Sequence, residues 1–346
     1  MKLEQLFNFT NGKSIVNLEK GNYPIYGSTG IIGSSNKSLI SGSNILIARV
    51  GQNCGYTQYT ESDCWVSDNT IIASSNTDLL IPKYGYYLLG SLNLQKYKIG
   101  AAQPLLTIGI IKSIECSIPQ ISIQQHIVNT IGSVDDLIEN YQKQSDKICD
   151  ILKQSLNKYK EYVTISEYDP NIIKSGIKIF DNEKTYLDTS SINGVNTITP
   201  GELITYNKKP SRANMQPIGN SVWFAKMKDS NKILIITDKD QDIIKNNILS
   251  TGFLGIKSSN KLPLSLLTSI IISDQFKVQR DLNSVGTTMA GINNETFSKI
   301  IVPKLTDEEI KEYDKKYNNL VYRLSYIRQE IKLLSEVKGT LLLKYF

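Results

Sequence analysis

The chain has 346 residues, 40% of them hydrophobic, and a formal net charge of +6, which leaves room for two globular domains joined by helical connectors. No run approaches the roughly 18 apolar residues of a membrane span, and "MKLEQLFNFTNGKS" lacks the basic segment and apolar core of a secretory signal, so a cytoplasmic, non-membrane protein is expected. Cys54, Cys64, Cys116 and Cys149 form no CxxC pair and His126 is the only histidine, which excludes a zinc site built from about four closely spaced Cys/His ligands.

Residues 1–119 are punctuated by Gly, Ser and Asn. Short apolar runs at Ile45–Ala48 and Thr70–Ala73 read as strands separated by glycine-bearing turns, and "PKYGYYLLGSLN" (82–93) reads as a helix pressed on that sheet. After Pro119 the pattern changes. Ile127, Ile131, Val134, Ile138, Tyr141, Ser145, Ile148, Leu152, Ser155 and Tyr159 alternate in steps of four and three, the signature of coiled-coil packing. Residues 161–305 return to strands and loops, with "SVWFAKMKD", "KILIIT" and a helix near "LPLSLLTSIIISDQF".

From 306 the heptad alternation resumes. Its positions are Ile310, Tyr313, Tyr317, Leu320, Leu324, Ile327, Ile331, Leu334, Lys338, Leu341 and Tyr345, introduced by "TDEE" with Thr306 as cap and Glu309 three residues on. Two helices of about 35–40 residues would each be roughly 50–60 Å long. Matching seams predict that they pack on each other, antiparallel if the domains lie at opposite ends; the alternative is that each packs on its own globule.

A phrase is also repeated. "GAAQPLLTIGIIKSIECSIP" (100–119) and "GTTMAGINNETFSKIIVP" (286–303) each precede a helical stretch, and aligning Pro303 with Pro119 puts Ile292 over Ile108. The period is too long for a solenoid and indicates two domain-plus-helix units in tandem. The expected fold class is α+β: two strand-rich mixed α/β domains, 1–119 and 161–305, separated by two long antiparallel helices, 120–160 and 306–346, forming a coiled coil.

The positive excess sits mainly in the two globular parts, which fits polyanion binding and equally a lysine-rich composition. Base edges are read by Arg on guanine and by Asn or Gln on adenine, while Lys and Ser position the backbone. Arginine occurs only at 49, 212, 280, 323 and 328. Arg49, beside Gln52 and Asn53, is therefore the first domain's candidate; alternatively it ends a strand and ion-pairs with Asp68 or Asp63. Asn36 and Lys37 form a candidate exposed loop or a plain solvated turn. In the second domain "NKKPSRANMQ" gathers Lys208, Lys209, Arg212, Asn214 and Gln216, and Lys257 and Lys261 in "IKSSNK" are a further candidate.

No enzyme motif emerges. "DPNI" (169–172) lacks the second proline and the aromatic of a base methyltransferase, and "GSTGIIG" (27–33) is followed by Ser/Asn turn instead of the helix of a cofactor loop. The order of pieces instead resembles the specificity (S) subunit of type I restriction–modification systems. In the first half these are "YPIYGSTGIIG", "ILIARVGQNCG", "WVSDNTIIA" and "YYLLGSLNLQKYKIGAAQPLLT"; in the second, "YLDTSSING", "KPSRA", "LSTGFLGIKS" and "GTTMAGIN".

The resemblance spans essentially the whole chain. It implies two target recognition domains, each reading half of a bipartite double-stranded DNA site, with the helices setting the gap. It also implies a non-catalytic chain without cofactor, S-adenosylmethionine being bound by partner methyltransferase subunits, two of them clamped around the helices, and often a restriction subunit as well. The unlike domain interiors imply an asymmetric target. A two-domain coiled-coil scaffold for other proteins, or the recognition subunit of another methylation-based defence system, are the alternatives.

Overall fold

The computed structural model describes residues 1–15, 19–100, 104–286 and 290–346. Residues 101–103 and 287–289, near the start of each repeated phrase, lie outside the described residues. The chain forms two compact units, residues 1–137 with 334–346, and residues 138–333, each of which includes part of both long helices. No described helix is long and apolar enough to cross a membrane.

The first unit runs α1 (Leu3–Leu6), β1 (Phe7–Asn11), β2 (Tyr23–Gly27), β3 (Gly30–Ser35), β4 (Asn44–Ala48), β5 (Thr57–Thr60), β6 (Trp65–Val66), β7 (Thr70–Ser75), α2 (Pro82–Ser91), α3 (Ile108–Ser113) and into α4 (Ile121–Ser155). Its main sheet is antiparallel in the order β1-β7-β4-β5, beside a small sheet β3-β2-β6. Every residue of β4 is buried, because the sheet is covered on both faces and successive side chains point to opposite sides. Ile45 and Ile47 join a core with Tyr84, Tyr87, Ile127 and Ile131 on the helical side, whereas Leu46 joins Cys64, Val66 and Ile72 under the small sheet.

The start of α4 is fastened to this unit by Gln124, which is fully buried. Its side-chain oxygen accepts from the Ile81 N–H at 3.0 Å, and its amide donates to the carbonyls of Leu79 and Pro119 at 3.0 and 2.9 Å. Residues 334–346 run antiparallel to it: His126 faces Tyr345, and Asp135 accepts from Tyr87 at 2.7 Å while ion-pairing with Lys338 at 2.6 Å.

The second unit adds β8 (Tyr162–Thr164), β9 (Asn171–Ile172), β10 (Lys184–Leu187), β11 (Ile192–Asn193), β12 (Thr197–Ile198), β13 (Glu202–Ile204), β14 (Ala213–Met215), β15 (Ser221–Ala225), β16 (Ile233–Ile236), α5 (Gln241–Asn246), β17 (Asn247–Ser250), β18 (Phe253–Lys257), α6 (Leu264–Ile272), α7 (Asp274–Leu282), α8 (Asn294–Ser298), β19 (Ile301–Pro303) and α9 (Asp307–Tyr345). Its two larger sheets are ordered β16-β15-β18-β9 and β13-β10-β17-β14. The wholly buried β15 again splits by alternation. Val222 and Phe224 pack with Leu267, Phe276 and Phe297, and Trp223 and Ala225 with Leu187, Met215 and Phe253.

Here the later part of α4 (Ile148, Leu152) and the earlier part of α9 (Ile310, Tyr313, Leu324, Ile327) share one core with the sheet and with α6. The Tyr313 hydroxyl contacts Ser155 on α4 and donates to Ser269 on α6 at 2.7 Å. Arg323 donates to Gln144 at 2.9 Å. The long helices therefore pack on each other and on their own globules at once.

All fourteen principal seam positions are buried or half-buried: Ile127, Ile131, Val134, Ile138, Tyr141, Ile148, Leu152, Tyr313, Tyr317, Leu320, Leu324, Ile327, Ile331 and Leu334. Tyr159, expected to continue the first seam, lies beyond the end of α4 at Ser155, although it is buried against Tyr313. Thr306 and Glu309 make the reciprocal cap read from "TDEE", at 2.8 and 3.3 Å.

A buried clasp joins α9 to the sheet of the second unit. Arg328 ion-pairs with Asp240 at 2.7 Å and donates to the Ile235 carbonyl at 2.7 Å and to Asn196. Asp240 also accepts from Thr237, Ser325 and Gln329 at 2.7–2.9 Å. Burial by itself would raise the Asp240 carboxyl, but Arg328, Ser325 and the Thr237 N–H together hold it below its ordinary value.

The repeat is real in three dimensions, with a register two residues away from the proline alignment. In the first unit Ile99 and Leu105 exchange two main-chain hydrogen bonds, Leu106 donates to Arg49, and Thr107 caps α3. In the second, Val285 and Gly291 make the same exchange, Ile292 donates to Lys226, and Asn293 caps α8. Ile292 thus matches Leu106, not Ile108. A slip of two leaves every strand side chain on its own face, so hydrophobic pattern alone could not distinguish the registers.

Candidate nucleic-acid interface

In the first unit the site is built at the end of β4. The Arg49 N–H donates to Asn69 at 2.9 Å, and its carbonyl accepts from Leu106 at 2.9 Å and from the Cys54 thiol at 3.2 Å. The following turn closes through Cys54 to Gly51 (3.0 Å) and Gly55 to Ala48 (2.8 Å). It needs left-handed backbone at Gly51 (φ 80°) and Gly55 (φ 90°). At position 55 a Cβ would also lie 2.7 Å from the Gln95 nitrogen. Cys54 plugs the turn from inside, burial pushing its thiol up, while Gln52 and Asn53 stand exposed at the tip.

The tip of the β2–β3 hairpin joins the same edge. Gln58 donates to the Gly27 carbonyl at 3.0 Å, and Ser28 reaches the Asn69 carbonyl at 3.4 Å. Arg49, Gln52 and Asn53 are thus brought together, with Ser28 and the exposed Asn69 alongside. Among the described residues Arg49 makes no ion pair with Asp63 or Asp68. Asn36 and Lys37 lie elsewhere, past the far end of β3 and so roughly 17 Å from the hairpin tip at about 3.4 Å per residue. The Asn36 amide there donates to Glu19 at 2.9 Å.

In the second unit Lys208 and Arg212 are exposed, and Lys209 is half-buried with its ammonium 5.9 Å from the centre of the Tyr206 ring. Arg212 is anchored through its carbonyl, which accepts from Thr251 at 2.8 Å. Asn214 and Gln216 are half-buried; the Gln216 amide is turned inward and donates to the Ile244 carbonyl at 2.9 Å. Lys257 ends β18 opposite Ser221 and Asn171. It is therefore separated from the Thr251–Gly252 turn by the length of that strand, roughly 15 Å, and Lys261 follows it in the next turn. Both are exposed, but neither shares the edge that carries Arg212.

Sequence reading missed Lys226. It occupies the position of Arg49: its N–H donates to Gly252 at 2.9 Å as Arg49 donates to Asn69, and its carbonyl accepts from Ile292 as Arg49 accepts from Leu106. The signal was an apolar strand ending in Ala and a cation, Ala48–Arg49 and Ala225–Lys226. The Lys226 ammonium donates to the Thr251 carbonyl at 3.0 Å. Burial, and then the neighbouring Arg212 guanidinium, lower its pKa from the ordinary lysine value. Arg280 by contrast is buried on Asp281 and the Ser230 carbonyl, a structural role.

Two copies of one frame thus present a cation at the same strand end, flanked by unlike loops. The frame is therefore duplicated within the chain. Residues 1–150 match the type I restriction modification DNA specificity domain. A stretch of 115 residues is 27% identical to the type I restriction enzyme EcoprrI specificity subunit of Escherichia coli; it covers 33% of this chain and 28% of that relative's length. The structure of the type I restriction–modification system S subunit from M. genitalium aligns with a TM-score of 0.54 at 16% identity. It covers 100% of this chain and 95% of that one. The shared fold therefore extends over both units and both long helices.

Proposed function

We propose that this chain is the sequence-specific DNA-recognition subunit of a type I restriction–modification complex. Each strand-rich unit reads one half of a bipartite, asymmetric double-stranded target, the long helices fix the spacing of the halves, and the chain directs adenine methylation by its partners. The observation that supports this reading best is the doubled frame with unlike outward loops: Gln52–Asn53 beside Arg49 in one copy, Arg212 beside Lys226 in the other. A module that reads one unique sequence needs one frame; two different half-sites need two frames with different side chains on the same edge.

The chain is non-catalytic and binds no cofactor in this scheme. S-adenosylmethionine belongs to methyltransferase subunits, two of which hold the paired helices, and a restriction subunit adds cleavage where it is present. The complex works in the cytoplasm.

Co-expression with the methyltransferase subunits, followed by genome-wide mapping of methyladenine, tests the proposal. A split motif with unlike halves and a fixed gap, lost when this chain is omitted, is expected. Methylation unchanged without the chain would refute the specificity role and favour a protein-binding scaffold.

A further inference from the structure

We infer that Lys226, acting with Arg212 across the Thr251–Gly252 turn, holds a backbone phosphate of DNA in the second unit, at the position that Arg49 occupies in the first. The inference rests on the DNA-recognition reading and adds a positioning residue to it.

Three observations converge on this turn. The main-chain hydrogen bonds that fix Arg49 are repeated bond for bond at Lys226, so the frame delivers a cation to the same place twice although the neighbouring loops differ. Next, Lys226 and Arg212 are like charges placed together, and among the described residues neither ion-pairs with a carboxylate. Of the three donors on the Lys226 ammonium, one is directed at the Thr251 carbonyl; an anion would take the rest and relieve the repulsion. Finally, position 252 is a glycine in close quarters, with the Arg212 guanidinium beside the turn whose carbonyl at Thr251 holds the Lys226 ammonium. A Cβ there would come within 3.0 Å of the Thr189 methyl, 3.3 Å of the Ser250 oxygen and 3.9 Å of the Arg212 guanidinium. A lysine ammonium binds phosphate as a point charge, and pairing with a second cation, Arg212, suits a phosphate; a base contact by Lys226 would instead show as a loss confined to target duplexes.

The test uses the full chain in complex with its methyltransferase subunits and measures affinity for duplex DNA as a function of salt. With Lys226→Met, binding should fall roughly tenfold at 0.1 M salt, on target and non-target duplexes alike, as expected for one charge-assisted hydrogen bond. The slope of log affinity against log salt should shrink by about 0.9, one phosphate's worth of released counterions. Lys226→Arg should restore the slope. Arg212 is exposed, so Arg212→Met carries the same readout should Lys226→Met lower the melting temperature. Unchanged slopes in both Met variants, with wild-type complex binding its target normally, would overturn this inference alone. A wild-type complex without salt-dependent DNA binding would sink the recognition reading and the inference with it.

Discussion

The Arg328–Asp240 clasp sets how firmly α9 is held to the sheet of its unit, and its removal is the sharpest test of that packing. Asp240 is 3% exposed and Arg328 8%. Arg328→Met leaves the carboxylate with its hydroxyl, amide and main-chain donors from Thr237, Ser325 and Gln329 but with no cation. Breaking one side of a buried pair costs about 3–5 kcal/mol; because those donors remain, a value near the lower end, about 3 kcal/mol, is expected. Asp240→Asn leaves the guanidinium buried with only the Ile235 carbonyl and Asn196, and should cost at least as much.

The double variant should cost less than the sum of the singles by about 2 kcal/mol, since neither charge is then stranded. Guanidinium unfolding read by Trp223 fluorescence in a Trp65→Phe background reports the second unit, Trp65 being the other of the two tryptophans. A penalty below about 1 kcal/mol for Arg328→Met, or strict additivity, would refute the reasoning. The sign with pH follows from the lowered carboxyl. Its contribution is fully present above the unfolded aspartate value of about 3.9 and is lost as pH falls through the folded value, so Asp240→Asn should flatten the acid limb of the stability curve.

Three further outcomes are expected. Burial pushes Tyr84, Tyr86, Tyr168 and Tyr313 up to about 12. Their stabilising share is present below the unfolded value of about 10 and disappears as pH rises toward 12, so phenolate absorbance at 295 nm should show a late phase coincident with unfolding. Gly255→Ala places a Cβ 2.4 Å from the Trp223 ring and should cost at least about 2 kcal/mol by overpacking, read as a lower melting temperature and altered Trp223 fluorescence. Arg49→Ala should relax methylation specificity in one half-site while Asn36→Ala leaves it unchanged, because Asn36 is tied to Glu19 away from the Arg49 edge; methylome sequencing of both variants decides this.

Much of the architecture is written locally. The heptad alternation, the Thr306–Glu309 cap and the strand runs around Leu46 and Ile72 depend on residues a few positions apart, and these are the elements that form. What a site residue does depends on partners far along the chain. Arg212 and Arg328 are indistinguishable as letters, yet one is exposed beside a lysine and the other is sealed against Asp240. Lys257 is an exposed cation of the same unit as Arg212, but the strand that leads away from Gly252 carries it off the shared edge.

By itself the sequence determined that this protein has two strand-rich frames, each followed by a long heptad helix, because periodicity and capping are local. Only the tertiary structure decided that Lys226 is the counterpart of Arg49. Their equivalence rests on hydrogen bonds from strands and hairpins distant in sequence, and a two-residue slip that hydrophobic alternation cannot detect is resolved only when those bonds close.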